Sequence, residues 1–477
     1  MLYHSTRGSG QPKNFSEVLH SGLAGDGGLF VPDLIPKLNK ETLKQWKNLS
    51  YEKLAVEIIS LFSGDCFTKS ELSEIVYESY SGFHHKLKSP LIKLEDNHYF
   101  LELFHGPTLA FKDFAMQVIA KMFAKTLRKK NLNINIITAT SGDTGSAAVE
   151  AFKCISNVNL YVLYPHKRIS QIQRKQMTTS NANNVGVFAV QGTFDDCQSI
   201  VKSLFADKAL VSDVNLSGVN SINWVRILVQ IIYYFSAFYQ LNNLSKEKLN
   251  FCVPTGNFGD AYAGYIAKKM GLPIKKIIVA TNKNDILDRV FKTGVYRSNS
   301  VSKTLSPSMD IQVASNFERL LFDLLDGDAG EVRKLMHNLS DEGGFNLEKK
   351  TISLIEKEFA SGAVTDEDTL ATINKFYSKR GIILCPHSAI GVRVAQDFLD
   401  AGEPVVSLGT AHPAKFKETV ESALNMSIPM PSVLKDIMKK QESVKVILPS
   451  KDLVAEEIRK KLFEDAFMGS RKVRSQE

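Results

Sequence analysis

One local grammar recurs along this chain and limits what it can become: a short apolar run, a loop containing glycine, then a segment of helical periodicity. Residues 134–139 (INIITA) lead into SGDTG and then AAVEAFK, 185–190 (VGVFAV) into QGTFDD and then CQSIVKSLF, and 249–253 (LNFCV) into PTGNFGD and then AYAGYIAKKM. Further apolar runs stand at 160–163, at 382–384 ahead of CPHSAIGVRVAQDFL, and at 405–408 ahead of GTAHPAKF. Strands alternating with helices predict an α/β architecture of parallel sheets with helices on both faces. In such sheets ligands gather at the carboxyl ends of the strands, where the glycine-rich loops fall.

At 477 residues the chain exceeds the roughly 250–300 that one hydrophobic core can serve, so two or three domains are expected. Its formal charge of +8 is spread thinly, and Lys129-Lys130 and Lys439-Lys440 are only pairs. That argues against a nucleic-acid partner and leaves a mild bias toward anionic small molecules. Five cysteines without a CxxC argue against a disulfide framework or zinc site and suit a reducing compartment. The N-terminal MLYHSTRGSG lacks the apolar stretch of a secretory signal, which makes a cytoplasmic location the expectation. The most apolar segment, 227–241, contains Gln230, Ser236 and Gln240. It falls short of the ~20 residues that span a membrane, so it reads as a buried core helix. The tail after Pro449 reads as one charged helix, 453–463, and a frayed end.

The segment LELFHGPTLAFKDFAMQ (101–117) places a lone lysine, Lys112, between two phenylalanines. Phe114, Ala115, Val118, Ile119, Met122 and Phe123 recur at three- and four-residue spacing, so a helix follows Lys112, and Gly106-Pro107 mark a turn before it. A lysine at a helix N-terminus meets the positive end of the dipole, and its pKa is expected to fall. Such an amine meets the requirement for a Schiff-base nucleophile. The competing reading is a lysine whose stem lies along the helix end and whose head reaches water.

Three loops could hold an anion or a polar ring. In PTGNFGD, Gly256 and Gly259 bracket Asn257-Phe258 ahead of a helix, so backbone amides could cradle a phosphate; the alternative is a plain turn with Asp260 as helix cap. The loop lacks both the Walker lysine and the dinucleotide glycine spacing. In TATSGDTGSAA, Ser141 and Thr144 offer donors for a carboxylate or phosphate; the alternative is a turn capped by Asp143. In SLGTAHPAKF, Thr410 stands just past a strand, and His412 reads as structural. Arg226 could grip a phosphate or could serve as a helix-surface or structural ion-pair arginine. An amine, a phosphate cradle, a carboxylate-sized pocket and a strand-end hydroxyl are together what a pyridoxal-phosphate enzyme must have.

HGPTLAFKDF, ATSGDTGSAA, PTGNFGD and LGTAHPAKF, with STRG (5–8), GLAGDGGLFVP (22–32), NSINWVR (220–226), ATNKND (280–285) and LSPSMDI (305–311), resemble in order the motifs of threonine synthases, in particular the longer class of bacteria and fungi. The resemblance runs from about Tyr3 to Ser422. It implies a fold-type-II pyridoxal-phosphate enzyme, similar to the tryptophan synthase β-subunit, with two parallel-type α/β domains and an N-terminal subdomain. The division it suggests is 1–95 as N-terminal domain, 96–115 with 240–430 as the large cofactor-binding domain, 116–239 as the smaller domain carrying SGDTG, and 431–477 as a C-terminal segment. It implies that Lys112 carries the cofactor as a Schiff base and is the catalytic residue. Gly256, Asn257, Phe258 and Asp260 would line the cofactor phosphate, Thr410 would face the pyridine nitrogen, and Ser141, Asp143 and Thr144 would receive the substrate. No metal is implied. The reaction implied is γ-elimination and β-hydration of O-phospho-L-homoserine to L-threonine and phosphate, in a monomer or homodimer with no membrane or nucleic-acid partner. A phospholyase or a hydroxyamino-acid dehydratase of the same fold is the alternative.

Overall fold

The computed structural model describes residues 1–241, 248–399 and 403–474. The chain forms two compact units, each assembled from two separate stretches: Met1–Lys121 with Ser221–Ser432, and Met122–Asn220 with Val433–Glu477.

The first unit is built on a six-stranded sheet in the order Phe359–Ala363, Ile274–Thr281, Leu249–Pro254, Val405–Gly409, His98–Glu102, Leu91–Glu95. All neighbours are parallel except the last pair, an antiparallel hairpin. Leu249–Pro254 and Val405–Gly409 are buried at every position. That explains why they read as unbroken apolar runs rather than alternating ones. The helix Trp224–Leu241 is buried over most of its length, including the amide of Gln230, which is the pattern of a helix at the centre of a large core. No helix among the described residues is long and apolar enough to cross a membrane.

The second unit carries a five-stranded parallel sheet in the order Lys445–Ile447, Val185–Val190, Val158–Pro165, Ile134–Ala139, Leu216–Ser217. Its outermost strand comes from the C-terminal stretch. Glu442, just before that strand, accepts from Arg174 at 3.1 Å and from the Thr178 hydroxyl at 2.8 Å. The last helix runs Lys451–Arg474, well past the 453–463 expected; the tail read as frayed reaches residues 475–477, which lie outside those described.

The apolar run 382–384 is not a strand. The helix Asp366–Arg380 opens on Thr365, whose hydroxyl accepts from Asp368 N–H at 3.1 Å, and closes on Gly381 at φ 68°. The next helix, Pro386–Gln396, begins after Cys385. Three residues between two helix caps are too few to pair, so Leu384 instead fills a core cluster with Phe376 and Val420.

The N-terminal motifs serve as scaffold. Leu2–Ser5 pairs antiparallel with Lys13–Asn14 and Phe30–Pro32. Ser5 donates to Asp26 at 2.8 Å, the Thr6 hydroxyl to Glu318 at 2.6 Å, and the Arg7 guanidinium to both Glu318 oxygens at 2.9 Å. The fully buried Arg319 guanidinium donates to Phe30 O at 3.0 Å, Ile222 O at 2.6 Å and the Asn316 side chain. It thereby ties NSINWVR to the N-terminal sheet. Within 282–374, Asp310 gathers Asn282, Asn284 and Thr304 at 2.6–3.0 Å, so ATNKND and LSPSMDI form one hydrogen-bonded knot.

Candidate active site

Three neighbouring strands of the first unit, Leu249–Pro254, Val405–Gly409 and His98–Glu102, end together, and their loops carry the predicted residues of this unit. The third loop leads to Lys112, the first residue of the helix Lys112–Lys130. It is stitched to the second. Phe111 N–H donates to Thr410 O at 2.8 Å, His412 N–H donates to Leu109 O at 3.0 Å, and Ala110 bridges Ala411. Thr410 therefore pairs with Phe111 in a short two-chain ladder, and Lys112 follows directly on the end of that ladder. The Lys112 ammonium lies 4.4 Å from the centroid of its neighbour Phe111.

The turn before Lys112 is tightly constrained. A Cβ on Gly106 would come within 2.5 Å of the Asp113 side chain, so only glycine fits. Leu109 takes a left-handed φ of 61°, a strain of about 1–2 kcal/mol for a residue with a Cβ. The fully buried Asp113 carboxylate compensates by accepting from Thr108 N–H at 2.9 Å and the Thr108 hydroxyl at 2.6 Å. The buried Lys415 ammonium donates to Thr108 O at 2.8 Å. Burial pushes the Asp113 carboxyl up to about 6, with Thr108 and Lys415 pulling against that rise. Sequence reading passed over Thr108, Asp113 and Lys415. The available signal was a charged residue on either side of an apolar helix start.

Thr410 is buried, its N–H donates to Ser388 Oγ at 3.0 Å, and its hydroxyl has no hydrogen-bond partner. His412 caps the short turn after it, with Nδ1 accepting from Ala414 N–H at 3.1 Å; burial lowers its pKa to about 4 and leaves it neutral.

In the first of the three loops, Phe258 sits in the left-handed region at φ 64° directly before the helix Gly259–Lys269. Its ring is clamped by Phe291, Phe317 and Phe359 at 5.8–6.1 Å. The side chain is thus core, and what the loop presents is backbone. The first N–H groups of the helix have no acceptor within it. Asn257 O accepts from Asn316 N–H and Nδ2 at 3.1 Å, which fixes the peptide's orientation. A Cβ on Gly256 would press on backbone, 3.1 Å from Ser308 O and 3.3 Å from Met309 Cα, so glycine lets the loop approach that turn closely. The Asp260 carboxyl is not a cap. It turns into the core, where Oδ1 accepts from Tyr233 at 2.5 Å and Tyr234 at 2.9 Å. Burial raises it to about 6, against the opposing pull of both tyrosines and the Lys112 charge. Arg226 is likewise buried rather than on a helix surface, and burial lowers its pKa to about 10.

Ser141, Asp143 and Thr144 belong to the second unit, at the end of its strand Ile134–Ala139. Thr140, not Asp143, holds the helix start, accepting from Gly142 and Gly145 N–H at 2.9 Å each. The buried Asp143 carboxylate accepts from Gln173 Nε2 at 2.9 Å. Gly142 takes φ 132°, and a Cβ there would meet Gln173 at 2.4 Å. Ser141 and Thr144 are partly exposed. The described residues contain no group of three or more acidic, histidine or cysteine side chains that could hold a metal.

Comparison with known proteins finds the family "Threonine synthase N terminus" over residues 2–80, "Pyridoxal-phosphate dependent enzyme" over 84–337, and "Threonine synthase, C-terminal" over 388–458. A threonine synthase of Pseudomonas aeruginosa is 44% identical over 94% of this chain and 96% of its own length. One of Saccharomyces cerevisiae is 44% identical over 89% of each. Among solved structures, a threonine synthase of Brucella melitensis with bound pyridoxal phosphate superimposes with a TM-score of 0.92 at 45% identity, covering 97% of this chain and 99% of that one. The Escherichia coli threonine synthase gives 0.83 at 33% identity, over 96% and 100%.

Proposed function

The chain belongs to the threonine synthase family of pyridoxal-phosphate-dependent enzymes, and from that premise we propose that it converts O-phospho-L-homoserine and water to L-threonine and phosphate. The observation that carries this reading is the ladder that pairs Thr410, whose buried hydroxyl has no partner, with Phe111, the residue before the helix-start amine of Lys112. A buried hydroxyl without a partner is costly unless a ligand completes it, and a pyridine nitrogen would complete Thr410. The donor-rich helix start at 256–260 suits a phosphate monoester. The residues of the first unit therefore fit the cofactor.

Bound pyridoxal phosphate supplies an aldehyde that captures amines and a ring that accepts the electrons of a carbon acid. In the proposed reading Lys112 would hold the aldehyde in the resting enzyme. Once free and neutral, its Nζ would take the Cα proton of the substrate and, after passing that proton on, would be neutral again to take one from Cβ. Backbone N–H groups at 256–260 hold the cofactor phosphate. The Asp260 carboxyl stays in the core, so this residue contributes through its peptide. Thr410 would offer the ring nitrogen a hydroxyl rather than a carboxylate, which would leave that nitrogen largely unprotonated. Ser141, Asp143 and Thr144 receive the amino-acid substrate; the partial exposure of the two hydroxyls supports this. The reading includes a cytoplasmic monomer or homodimer, and five free cysteines suit a reducing compartment.

Product analysis with phosphohomoserine tests the proposal. Threonine and inorganic phosphate in equal amounts are expected. Release of 2-oxobutanoate in place of threonine would assign the chain to the phospholyases or dehydratases of this fold.

A further inference from the structure

The stretch CPHSAIG takes no part in the chemistry above, yet it reaches at once one strand-end loop and the turn packed against another. It opens the helix Pro386–Gln396, with Cys385 as its cap. From the first turn of that helix, Ser388 Oγ accepts the N–H of Thr410 at 3.0 Å. The adjacent His387, its ring 4.6 Å from that of Phe416, accepts the N–H of Ser308 at Nε2, 3.1 Å away. Ser308 lies in the single turn Pro307–Met309. That turn is the wall against which Gly256 rests: a Cβ on Gly256 would lie 3.1 Å from Ser308 O and 3.3 Å from Met309 Cα.

Ser308 Oγ is buried and has no hydrogen-bond partner. Its backbone is fixed on both sides, by His387 and by the close approach to Gly256, so the hydroxyl cannot leave for solvent by a small shift of the chain. An unpartnered buried hydroxyl beside a helix start rich in N–H donors calls for an acceptor that arrives with a ligand. The only ligand chemistry that the neighbouring backbone selects for is an anion.

We propose that Ser308 donates through Oγ to the phosphate monoester seated on the 256–260 loop, and that His387 is a positioning residue that sets Ser308 in place. The helix Pro386–Gln396 then aligns two hydroxyls with one turn, Thr410 through Ser388 and Ser308 through His387. This rests on the cofactor reading above, and it deepens it by adding a side-chain donor to a cradle otherwise made of backbone.

The test uses the full chain freed of cofactor with hydroxylamine. The wild type and the variants Ser308→Ala, Ser308→Thr and His387→Leu are titrated with pyridoxal phosphate and, separately, with pyridoxal, which lacks the phosphate. Ser308→Ala should weaken pyridoxal phosphate about tenfold, or ~1.4 kcal/mol, and leave pyridoxal within about twofold, since only a charge-assisted hydrogen bond to phosphate is lost. Ser308→Thr should restore most of the affinity, and His387→Leu should show the same phosphate-selective loss. Equal losses for both ligands, or none for either, would overturn the proposal. A raised KM for phosphohomoserine with an unchanged ratio between the two ligands would also overturn it, by moving Ser308 to the substrate's phosphate. Borohydride reduction of the loaded wild type reports separately on the underlying reading: a label on any residue other than Lys112 would end that reading, whatever Ser308 does.

Discussion

Thr410 and Phe111, the residue before Lys112, are joined by a backbone hydrogen bond, so side-chain changes at Lys112 or Thr410 leave the ladder in place. Lys112→Ala is expected to remove turnover, by at least about a thousandfold, given the double role of nucleophile and base proposed for it. The variant should keep a wild-type circular dichroism spectrum. Appreciable threonine formation by it would refute the assignment. Thr410→Ala should lower kcat about ten- to a hundredfold while cofactor affinity stays within about threefold, because the role proposed for the hydroxyl is to tune the ring more than to anchor it. Unchanged kcat would remove that role. Asp260 makes a different prediction. Its carboxyl is raised to about 6 by burial. Between pH 4 and 6 the folded protein therefore binds more protons at this group than the unfolded chain does. The group's contribution to stability accordingly falls as pH rises through that window. Asp260→Asn, which stays neutral, should gain in melting temperature relative to wild type as pH goes from 4 to 7. A difference that does not vary with pH would contradict the assignment of the charge.

At the scale of elements, the helix Asp143–Phe152 starts on a borrowed cap. Thr140 lies outside the helix, and its one hydroxyl oxygen serves two N–H groups. Thr140→Val keeps the shape and removes the acceptor, so chemical denaturation of the second unit should show a loss of about 1–2 kcal/mol. A loss under a few tenths would mean that the loop finds another cap. This element also marks what could be read in advance. The strand Ile134–Ala139 is buried at every position, and its apolar run predicted it to the residue. Phe359–Ala363 escaped notice because Ala, Ser and Gly carry no strand signal; its pairing with Ile274–Thr281 makes it a strand. Lys445–Ile447 escaped for the opposite reason: two of its three residues face water at a sheet edge. The same division runs through the site. The placement of Lys112 at a helix start and of Thr410 just past a strand was legible because each lies at a local boundary between elements. Thr108, Asp113, Lys415 and Ser308 were not, since their meaning lies in partners up to 307 positions away.

At the scale of the whole molecule, the C-terminal stretch is part of a sheet and not an appendage. Lys445 pairs with Phe188, and Glu442 is held by Arg174 and Thr178. The helix behind that strand adds Val454, Ala455 and Ile458 to the core of the second unit. A chain ending at residue 431 should therefore expose apolar surface, lose protease resistance within 122–220 and precipitate on expression. A truncated chain as soluble and protease-resistant as the full one would contradict this.

The interleaved threading of the two units has a cost that falls on synthesis. At ~5–20 residues per second, the ribosome releases Phe188 roughly 13–50 s before Lys445, its pairing partner. For that interval the nascent sheet offers the row of bare amides and carbonyls along Val185–Val190 to whatever meets it. Abundance of this enzyme in the cell should accordingly depend on chaperones that shelter a half-finished polypeptide.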